Sequence, residues 1–293
     1  MSDAKADESA AGTGAAEKRI SDSEFAQLSG MIRKGFGINL TSEKKTLVVG
    51  RLQKLLRDRG DISFEEYFHQ VQADATGREM SELINRISTN HTFFNREKEH
   101  FDFFRTVALP EATARAKARG SQDLRFWCAA ASTGEEPYML AMLIREHLGV
   151  AQGDWDAGLL ATDISARALE TAQAGSYTEE RVADIPPALL KKYFALGTDG
   201  AFTAAAALKR DITFRRLNLI NPEFPFRKPF DAVFCRNVMI YFDVPTKDAL
   251  VRRIAKHTVP GGYLFIGHSE TLGRDAGPWQ YVRPAVYRRK EIL

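Results

Sequence analysis

The stretch RFWCAAASTGEEPY, residues 125–138, places a run of small residues and two adjacent glutamates directly after a short apolar segment. Small residues at the end of a parallel strand let the backbone approach a ligand closely, as in doubly wound sheets. The glycines of the dinucleotide fingerprint are replaced here by alanine and serine, so a pyrophosphate cradle is not predicted. A second apolar segment, GLLATD, ends in Asp163, which could accept hydrogen bonds from two ribose hydroxyls. These residues are compatible with a ligand that carries a ribose but no phosphates.

The three acids have two interpretations. Glu135 and Glu136 could complement the dipole of the helix that starts there, or one of them could hold a cationic group of a ligand. Asp163 could likewise cap the helix that follows it instead of binding a ribose. The residue types alone do not decide between these roles.

The elements that must position these acids are those of an α/β fold. Short apolar runs alternate with helical stretches after residue 91, at residues 124–129, 157–163, 211–218, 231–237 and 261–268. This alternation is typical of a parallel, doubly wound, Rossmann-like sheet. Residues 176–214 are irregular, and we interpret them as a small subdomain inserted at the edge of the sheet.

The chain before residue 91 has a different pattern. Residues 1–19 lack periodicity and are expected to form a disordered tail, whereas residues 20–90 predict a small all-helical domain. Capping boxes at residues 21–24 and 63–66 mark two helix starts. A further helix is predicted over residues 42–57, with an apolar stripe formed by Leu47, Val48, Leu52 and Leu55. Residues 91–293 then form the second domain.

Composition excludes several classes of protein. The 293 residues carry a formal charge of only +3, which does not by itself indicate a nucleic-acid partner. The two cysteines form no CxxC pair, and no metal site is predicted. No apolar run approaches the ~18 residues of a membrane span, and no signal peptide is evident. We expect a cytoplasmic protein without membrane insertion.

Three motifs in order, STGEEPY, FCRNVMIYF and GHSETL, together with the helical N-terminal region, resemble the chemotaxis receptor methyltransferases of the CheR family. The resemblance extends over residues 20–293. It implies a class I methyltransferase fold, S-adenosylmethionine as the cofactor, and transfer of its methyl group to receptor glutamates in chemotaxis adaptation.

The resemblance also implies which residues form the cofactor site. The segment TNHTFFNRE matches the family stretch that closes the site, although Asn95 stands where the family has its second phenylalanine. Glu136 matches the cofactor-binding glutamate, Asp163 the ribose-binding acid, and Asn218 with Leu219 the pair that flanks the adenine. The full set of matched cofactor-binding residues is Asn90, Thr92, Arg96, Glu136, Asp163, Asn218, Leu219, Arg236 and Asn237.

By the same resemblance, Arg96 and Tyr241 lie nearest the reaction and are the expected catalytic residues. The alternative role for Arg96 is a surface salt bridge. The alternative for Tyr241 is a buried tyrosine whose hydroxyl only finds a hydrogen-bond partner. An acceptor glutamate with a pKa near 4.3 is already ionised at neutral pH, so a methyltransferase of this kind requires no general base. His268 of GHSE is therefore interpreted as a structural hydrogen-bonding residue.

The predicted helix over residues 42–57 and the residues just after it are strongly basic: residues 44–59 contain six basic residues and one acid. A solvated face or a nucleic-acid contact could explain such a run, but in the family this helix meets the acidic methylation helices of chemoreceptors. We therefore expect these helices as partners and no nucleic acid. The expected substrate-binding residues are Lys44, Lys45, Arg51 and Lys54.

By the same resemblance, the loop at GTDG is shorter than in family members that bind a receptor C-terminal pentapeptide, so we expect that no such tether is needed. We also expect a monomer. Two other functions stay open: a methyltransferase with another substrate, and a non-catalytic S-adenosylmethionine-binding signalling module.

Overall fold

The computed structural model describes residues 19–88, 90–273 and 276–291, without the side chains of residues 150–152. The predicted disordered tail over residues 1–19 therefore lies outside the described residues, except for its last position. Within the described residues, no helix is long and apolar enough to cross a membrane.

Over residues 19–88, the structure shows four α-helices: α1 Asp22–Phe36, α2 Lys45–Asp58, α3 Phe64–Ala73 and α4 Arg78–Ile87. Both predicted capping boxes are confirmed. The Ser21 hydroxyl accepts from the Glu24 backbone at 3.1 Å, and the Glu24 side chain accepts from the Ser21 backbone at 2.7 Å. Ser63 and Glu66 make the same pair of bonds at the start of α3. These bonds satisfy backbone donors that the first helical turn leaves unpaired.

The predicted apolar stripe of α2 is only partly correct. Val48, Leu52 and Leu55 are buried and pack with residues of the other three helices. Leu47, in contrast, is 49% exposed. A short 3-10 turn, Ser42–Lys44, precedes α2, and Leu47 on the first turn of the helix points toward a cavity instead of the helical core.

In the part of the chain that the structure describes, the main sheet contains seven strands in the order β6-β2-β1-β7-β8-β10-β9. In chain order they are β1 Asp123–Cys128, β2 Asp156–Asp163, β6 Ile212–Arg216, β7 Phe230–Cys235, β8 Thr258–Ile266, β9 Trp279–Arg283 and β10 Val286–Arg289. The first five are mutually parallel, and β10 lies antiparallel between β8 and β9. The five predicted strands are all present, while β9 and β10 were not predicted.

Helices cover both faces of this sheet, which confirms the doubly wound architecture. A helix, α5 Lys98–Phe103, continues through a π turn into α6 Leu109–Ala118 before β1; the others are α7 Glu135–Leu148, α8 Ala166–Ala174 and α12 Val244–Lys256. All six residues of β7 are buried, as expected for a central parallel strand. Phe104 packs edge-on against Phe126 and Phe234 at centroid distances of 5.4 and 5.2 Å.

The predicted small β-subdomain is present between α8 and the edge strand β6. It consists of a three-stranded antiparallel sheet in the order β3-β5-β4 and three short helices. The elements are β3 Ser176–Tyr177, α9 Glu179–Val182, α10 Pro187–Tyr193, β4 Phe194–Leu196, β5 Phe202–Ala204 and α11 Ala206–Arg210.

The N-terminal helices dock against the carboxyl ends of the main strands. The Asn39 backbone donates to the carbonyl of Tyr241 at 2.8 Å, and Ile38 forms an isolated antiparallel bridge with Phe242. The Ser165 hydroxyl, just after β2, donates to Asn85 of α4 at 2.9 Å. These contacts close a cavity between the two parts of the chain.

Candidate active site

One cavity collects nearly all of the residues that the sequence singled out. Its wall includes small residues after β1, polar side chains after β2 and β7, and the face of α2 that carries Leu47. The predicted cofactor-binding and catalytic residues all line it: Asn90, Thr92, Arg96, Glu136, Asp163, Asn218, Leu219, Arg236, Asn237 and Tyr241. The parallel strands bring these residues together because their carboxyl ends share one edge of the sheet.

The loop after β1 is shaped by two residues in the left-handed region. Ser132 has φ 48° and Gly134 has φ 102°. This turn directs the Ser132 backbone N–H to Asp163 Oδ2 at 2.8 Å, while the Ser132 hydroxyl donates to the carbonyl of Asn90 at 3.1 Å. Ser132 therefore connects three parts of the site, a role that the sequence did not reveal.

Asp163 is a buried acid at the end of β2. Its two oxygens accept from the backbones of Ser132 and Ser165. Burial raises the pKa of Asp163, and the backbone hydrogen bonds counteract this only in part. The N-cap of α8 is Ser165, whose hydroxyl accepts from Ala168 at 3.1 Å. Helix capping therefore does not explain Asp163, and a buried carboxylate that faces a cavity points to a ligand.

Arg236, at the end of β7, organises the charges of the site. Its side chain is 2% exposed and contacts the Glu136 carboxylate, the carbonyl of Arg96 and Glu97 Oε2, the last at 3.0 Å. Burial on its own lowers the pKa of Arg236, but Glu136 and Glu97 outweigh it and hold this pKa above its ordinary value. The pKa of Glu97 is lowered: burial raises it, but Arg236 and Asn237 more than compensate.

Glu136 is held from two sides. Opposite Arg236, the Cys128 thiol donates to Glu136 Oε1 at 3.1 Å. Burial raises the pKa of Cys128 well above its ordinary value, so this thiol stays protonated and can donate. Glu136 is thus a carboxylate of fixed orientation at the cavity wall, in a position that suits a cationic group of a ligand.

The segment TNHTFFNRE lies across the cavity, with Thr89 outside the described residues. Phe94 is fully buried against the rings of Tyr177 and Phe194, at 5.0 and 5.9 Å. Phe93 is exposed at the cavity, and the Arg96 guanidinium lies 5.7 Å from its ring centre. Arg96 also donates to the carbonyl of His91 at 2.9 Å. Arg96 therefore makes no salt bridge among the described residues and lies at the cavity.

The turn after β7 carries Asn237 and Tyr241, and Glu270 of the GHSE motif holds it. The Glu270 carboxylate accepts from the backbones of Asn237, Met239, Ile240 and Gly267. Burial raises the pKa of Glu270 despite these bonds. The motif was recognised in the sequence, but nothing local indicated that its glutamate would support the turn of Tyr241.

The two residues expected near the adenine, Asn218 and Leu219, differ in the contacts that they make within the protein. Leu219 is buried at the cavity wall. Asn218 also lines the cavity, but its amide nitrogen donates to the carbonyl of Gly35 at 2.7 Å and its oxygen accepts from the Ile220 backbone at 3.2 Å. The Asn218 amide thus links the N-terminal helices to the site.

The four expected substrate-binding residues do not share one location. Lys44 and Arg51 line the cavity, and the Lys44 ammonium lies 5.1 Å above the Tyr241 ring. Lys45 instead pairs with Asp22 at 2.6 Å. Lys54 is exposed on α2 away from the cavity wall.

Glu97, His100 and His268 form a group whose donor atoms lie within 4.8 Å of one another. His100 is fully buried, and burial lowers its pKa to about 3. Glu97 Oε1 already accepts from Asn237 and His268, and its Oε2 contacts Arg236. A cation in this group would compete with the Arg236 guanidinium, so we assign no metal to it.

Comparison with known proteins agrees with this geometry. Residues 23–88 match the model of the "CheR methyltransferase, all-alpha domain", and residues 90–286 match the "CheR methyltransferase, SAM binding domain". A chemotaxis protein methyltransferase of Borreliella burgdorferi is 39% identical over 92% of this chain and 95% of its own length. Relatives in Escherichia coli and Pseudomonas aeruginosa are 38% and 37% identical, over 86% and 92% of this chain and 86% and 98% of their own lengths.

Proposed function

The chain belongs to the CheR methyltransferase family, and on this premise we propose that it transfers a methyl group from S-adenosylmethionine to glutamate side chains of chemoreceptors, forming glutamyl methyl esters in chemotaxis adaptation. One observation carries the proposal. The carboxylates of Glu136 in the first turn of α7 and Asp163 at the end of β2, and the buried Arg236 directly after β7, face one cavity, and the opposite wall is the basic helix α2.

The residues of the cavity fit S-adenosylmethionine. Glu136 presents a carboxylate suited to the α-ammonium group, and Asp163 presents one suited to two ribose hydroxyls. The small residues Ala129 and Ala130 leave room for the ligand at the end of β1. Leu219 offers an apolar surface for the adenine, with Asn218 beside it. Asn90, Thr92 and Asn237 complete the proposed cofactor site.

The bound cofactor supplies a methyl group activated by a positive sulfonium. The protein's own residues have to align an incoming carboxylate with that group and keep water away from it, because a solvated carboxylate is a weaker nucleophile. Arg96 and Tyr241 lie at the cavity wall where an acceptor would enter, and we assign them this orienting role. No proton has to be removed, since the glutamate is ionised at neutral pH.

Helix α2 is the proposed contact for the receptor. Lys44, in the turn before α2, lies at the cavity, and Lys54 is exposed on α2 away from it; both place positive charge around this helix, which complements acidic receptor helices and accelerates their association. Arg51 adds to this charge at the cavity wall, and Lys45, paired with Asp22, contributes less.

The remaining expectations belong to this proposal. The connection between β4 and β5 is short, and Gly197 donates to the carbonyl of Ala201 across it at 2.8 Å. On the length of this connection we propose methylation without a receptor pentapeptide. We further propose a cytoplasmic monomer that does not bind nucleic acid and whose helical domain ends near residue 90.

The test is incubation of the full chain with methyl-labelled S-adenosylmethionine and a chemoreceptor signalling domain. We expect incorporated label that mild alkali releases as methanol, the signature of a glutamyl ester. The matched control is the Asp163→Ala variant, which should retain the fold but lose transfer. Binding of the cofactor without transfer to any receptor would contradict the proposal and favour a non-catalytic signalling module or another substrate.

A further inference from the structure

The two adjacent glutamates of STGEEPY serve different parts of the protein. Glu136 faces the cavity and contacts Arg236, as described above. Glu135, although next to it in the chain, is completely buried and contacts Arg181 of the inserted subdomain. A carboxylate without solvent access is retained only where a cation and hydrogen bonds compensate for its lost hydration.

The contacts around Glu135 form a clasp, which we define as Glu135, Thr133, Arg181 and Tyr177. Arg181, on α9, contacts the Glu135 carboxylate and donates to the Thr133 hydroxyl at 2.8 Å. Thr133 in turn donates to Glu135 Oε2 at 2.8 Å. Tyr177, on β3, donates to the carbonyl of Thr133 at 2.8 Å, and its ring lies 5.1 Å from the Arg181 guanidinium.

The clasp contacts the loop after β1 at Thr133, where the backbone conformation is most strained. Thr133 lies between Ser132 and Gly134, which both have positive φ, and α7 starts without a side-chain cap. The subdomain approaches so closely that a Cβ on Gly134 would lie 2.7 Å from the Tyr177 hydroxyl. A non-glycine residue at positive φ persists only where the surroundings enforce it. For Ser132, the neighbouring clasp supplies part of that enforcement.

The same short loop helps to position the two carboxylates of the proposed cofactor site, Asp163 and Glu136. Ser132 donates its backbone N–H to Asp163, and Glu136 extends its carboxylate from the first turn of α7. If the loop changes its conformation at Thr133, the orientations of the Asp163 and Glu136 carboxylates change together. This follows although neither of these two acids is itself part of the clasp. Ligand affinity depends steeply on such placement.

We propose that Arg181 is a positioning residue for the cofactor, through which the inserted subdomain sets the affinity for S-adenosylmethionine. The inference rests on the proposed function, since it concerns the same cofactor site. Arg181 does not line the cavity and acts only through Glu135 and Thr133.

The test measures binding of S-adenosylhomocysteine by calorimetry in the full chain and in three variants. Arg181→Ala should weaken binding by about tenfold or more, because small misplacements of binding groups are costly. Tyr177→Phe, which removes one hydroxyl and keeps the packing, should weaken it by a few-fold. At saturating S-adenosylmethionine, both variants should retain kcat within about twofold, as expected for a defect in binding.

The matched control is Arg145→Ala. Arg145 also joins α7 to the inserted subdomain, by donating to Asp211 Oδ1 at 2.9 Å and to the carbonyl of Ala207 at 3.0 Å, but it lies in the last turn of α7, far along the helix from the loop. Its loss should lower the melting temperature and leave the affinity unchanged.

Unaltered affinity in both Arg181→Ala and Tyr177→Phe would overturn the inference, as would an equal loss in Arg145→Ala, which would indicate general destabilisation. If Arg181→Ala does not fold, Tyr177→Phe against Arg145→Ala decides the matter. Failure of the unaltered protein to bind S-adenosylhomocysteine would instead refute the proposed function.

Discussion

Replacing Asp163 by Asn should separate the cofactor affinity of the protein from its stability. Asp163→Asn preserves the shape of the side chain but leaves one acceptor oxygen where the carboxylate has two. A hydrogen bond to a charged group contributes about 1.5–3 kcal/mol, so loss of one ribose contact should raise the Kd by roughly ten- to a hundredfold.

Folding stability of the ligand-free protein should change in two ways: the Asn amide nitrogen cannot accept the backbone N–H that a carboxylate oxygen accepts from Ser132 or Ser165, which lowers stability at every pH, and the loss of a buried ionisable group changes the pH dependence of stability. Burial raises the pKa of Asp163 in the folded protein above the value of about 3.9 typical of an unfolded chain. Its contribution to stability is therefore fully present below pH ~4 and is lost as the pH rises through the folded pKa. An uncharged amide avoids this loss. The free energy of unfolding of Asp163→Asn, relative to the unaltered protein, should therefore increase from pH 4 toward neutrality.

Calorimetry with S-adenosylhomocysteine and chemical denaturation between pH 4.5 and 8 measure the two effects. The matched control is Asp231→Asn, because burial also raises the pKa of Asp231. Asp231 lies near the amino end of β7, at the opposite end of the strands from the cavity, and accepts from the Arg125 backbone. This control should show a similar pH dependence of stability with unchanged affinity. Wild-type affinity in Asp163→Asn would refute the assignment of Asp163 to the ribose.

Three further variants test other parts of the site. Glu136→Gln removes a charged partner from Arg236 and the proposed ammonium, so calorimetry should record a ten- to roughly hundredfold weaker binding of S-adenosylhomocysteine; unchanged binding would exclude Glu136 from the cofactor site. Lys54→Glu should raise the KM for an acidic receptor several-fold at low salt and little at ~0.5 M salt. The control substitution Arg252→Glu, at an exposed position of α12, should not raise this KM, and equal effects of the two substitutions would contradict a specific role of α2. Glu270→Ala leaves its four backbone donors without their acceptor and should lower the free energy of unfolding by about 3 kcal/mol, measured by denaturation, whereas an unchanged value would show that the turn holds itself.

Local patterns in the sequence sufficed for much of the fold. The capping boxes at Ser21 and Ser63 depend on bonds between residues three apart, and the apolar run of β7 reflects burial on both faces of the sheet. The hairpin of β9 and β10 was missed because its polar residues, Gln280, Arg283, Arg288 and Arg289, leave no long apolar run in either strand.

What the sequence by itself determined was the order of elements, the motifs that mark the family, and the positions of Glu136, Asp163 and Arg236 in the segments at or after the carboxyl ends of parallel strands. Such features depend on neighbours within a few positions, or on a strand direction that all parallel strands share. Only the tertiary structure decided which way individual side chains face. Leu47 turns to the cavity, and Glu135 turns away from its neighbour toward Arg181, 46 positions along the chain. The physical reason is that a buried charge takes its orientation from whichever partner compensates its lost hydration, and folding alone brings that partner near.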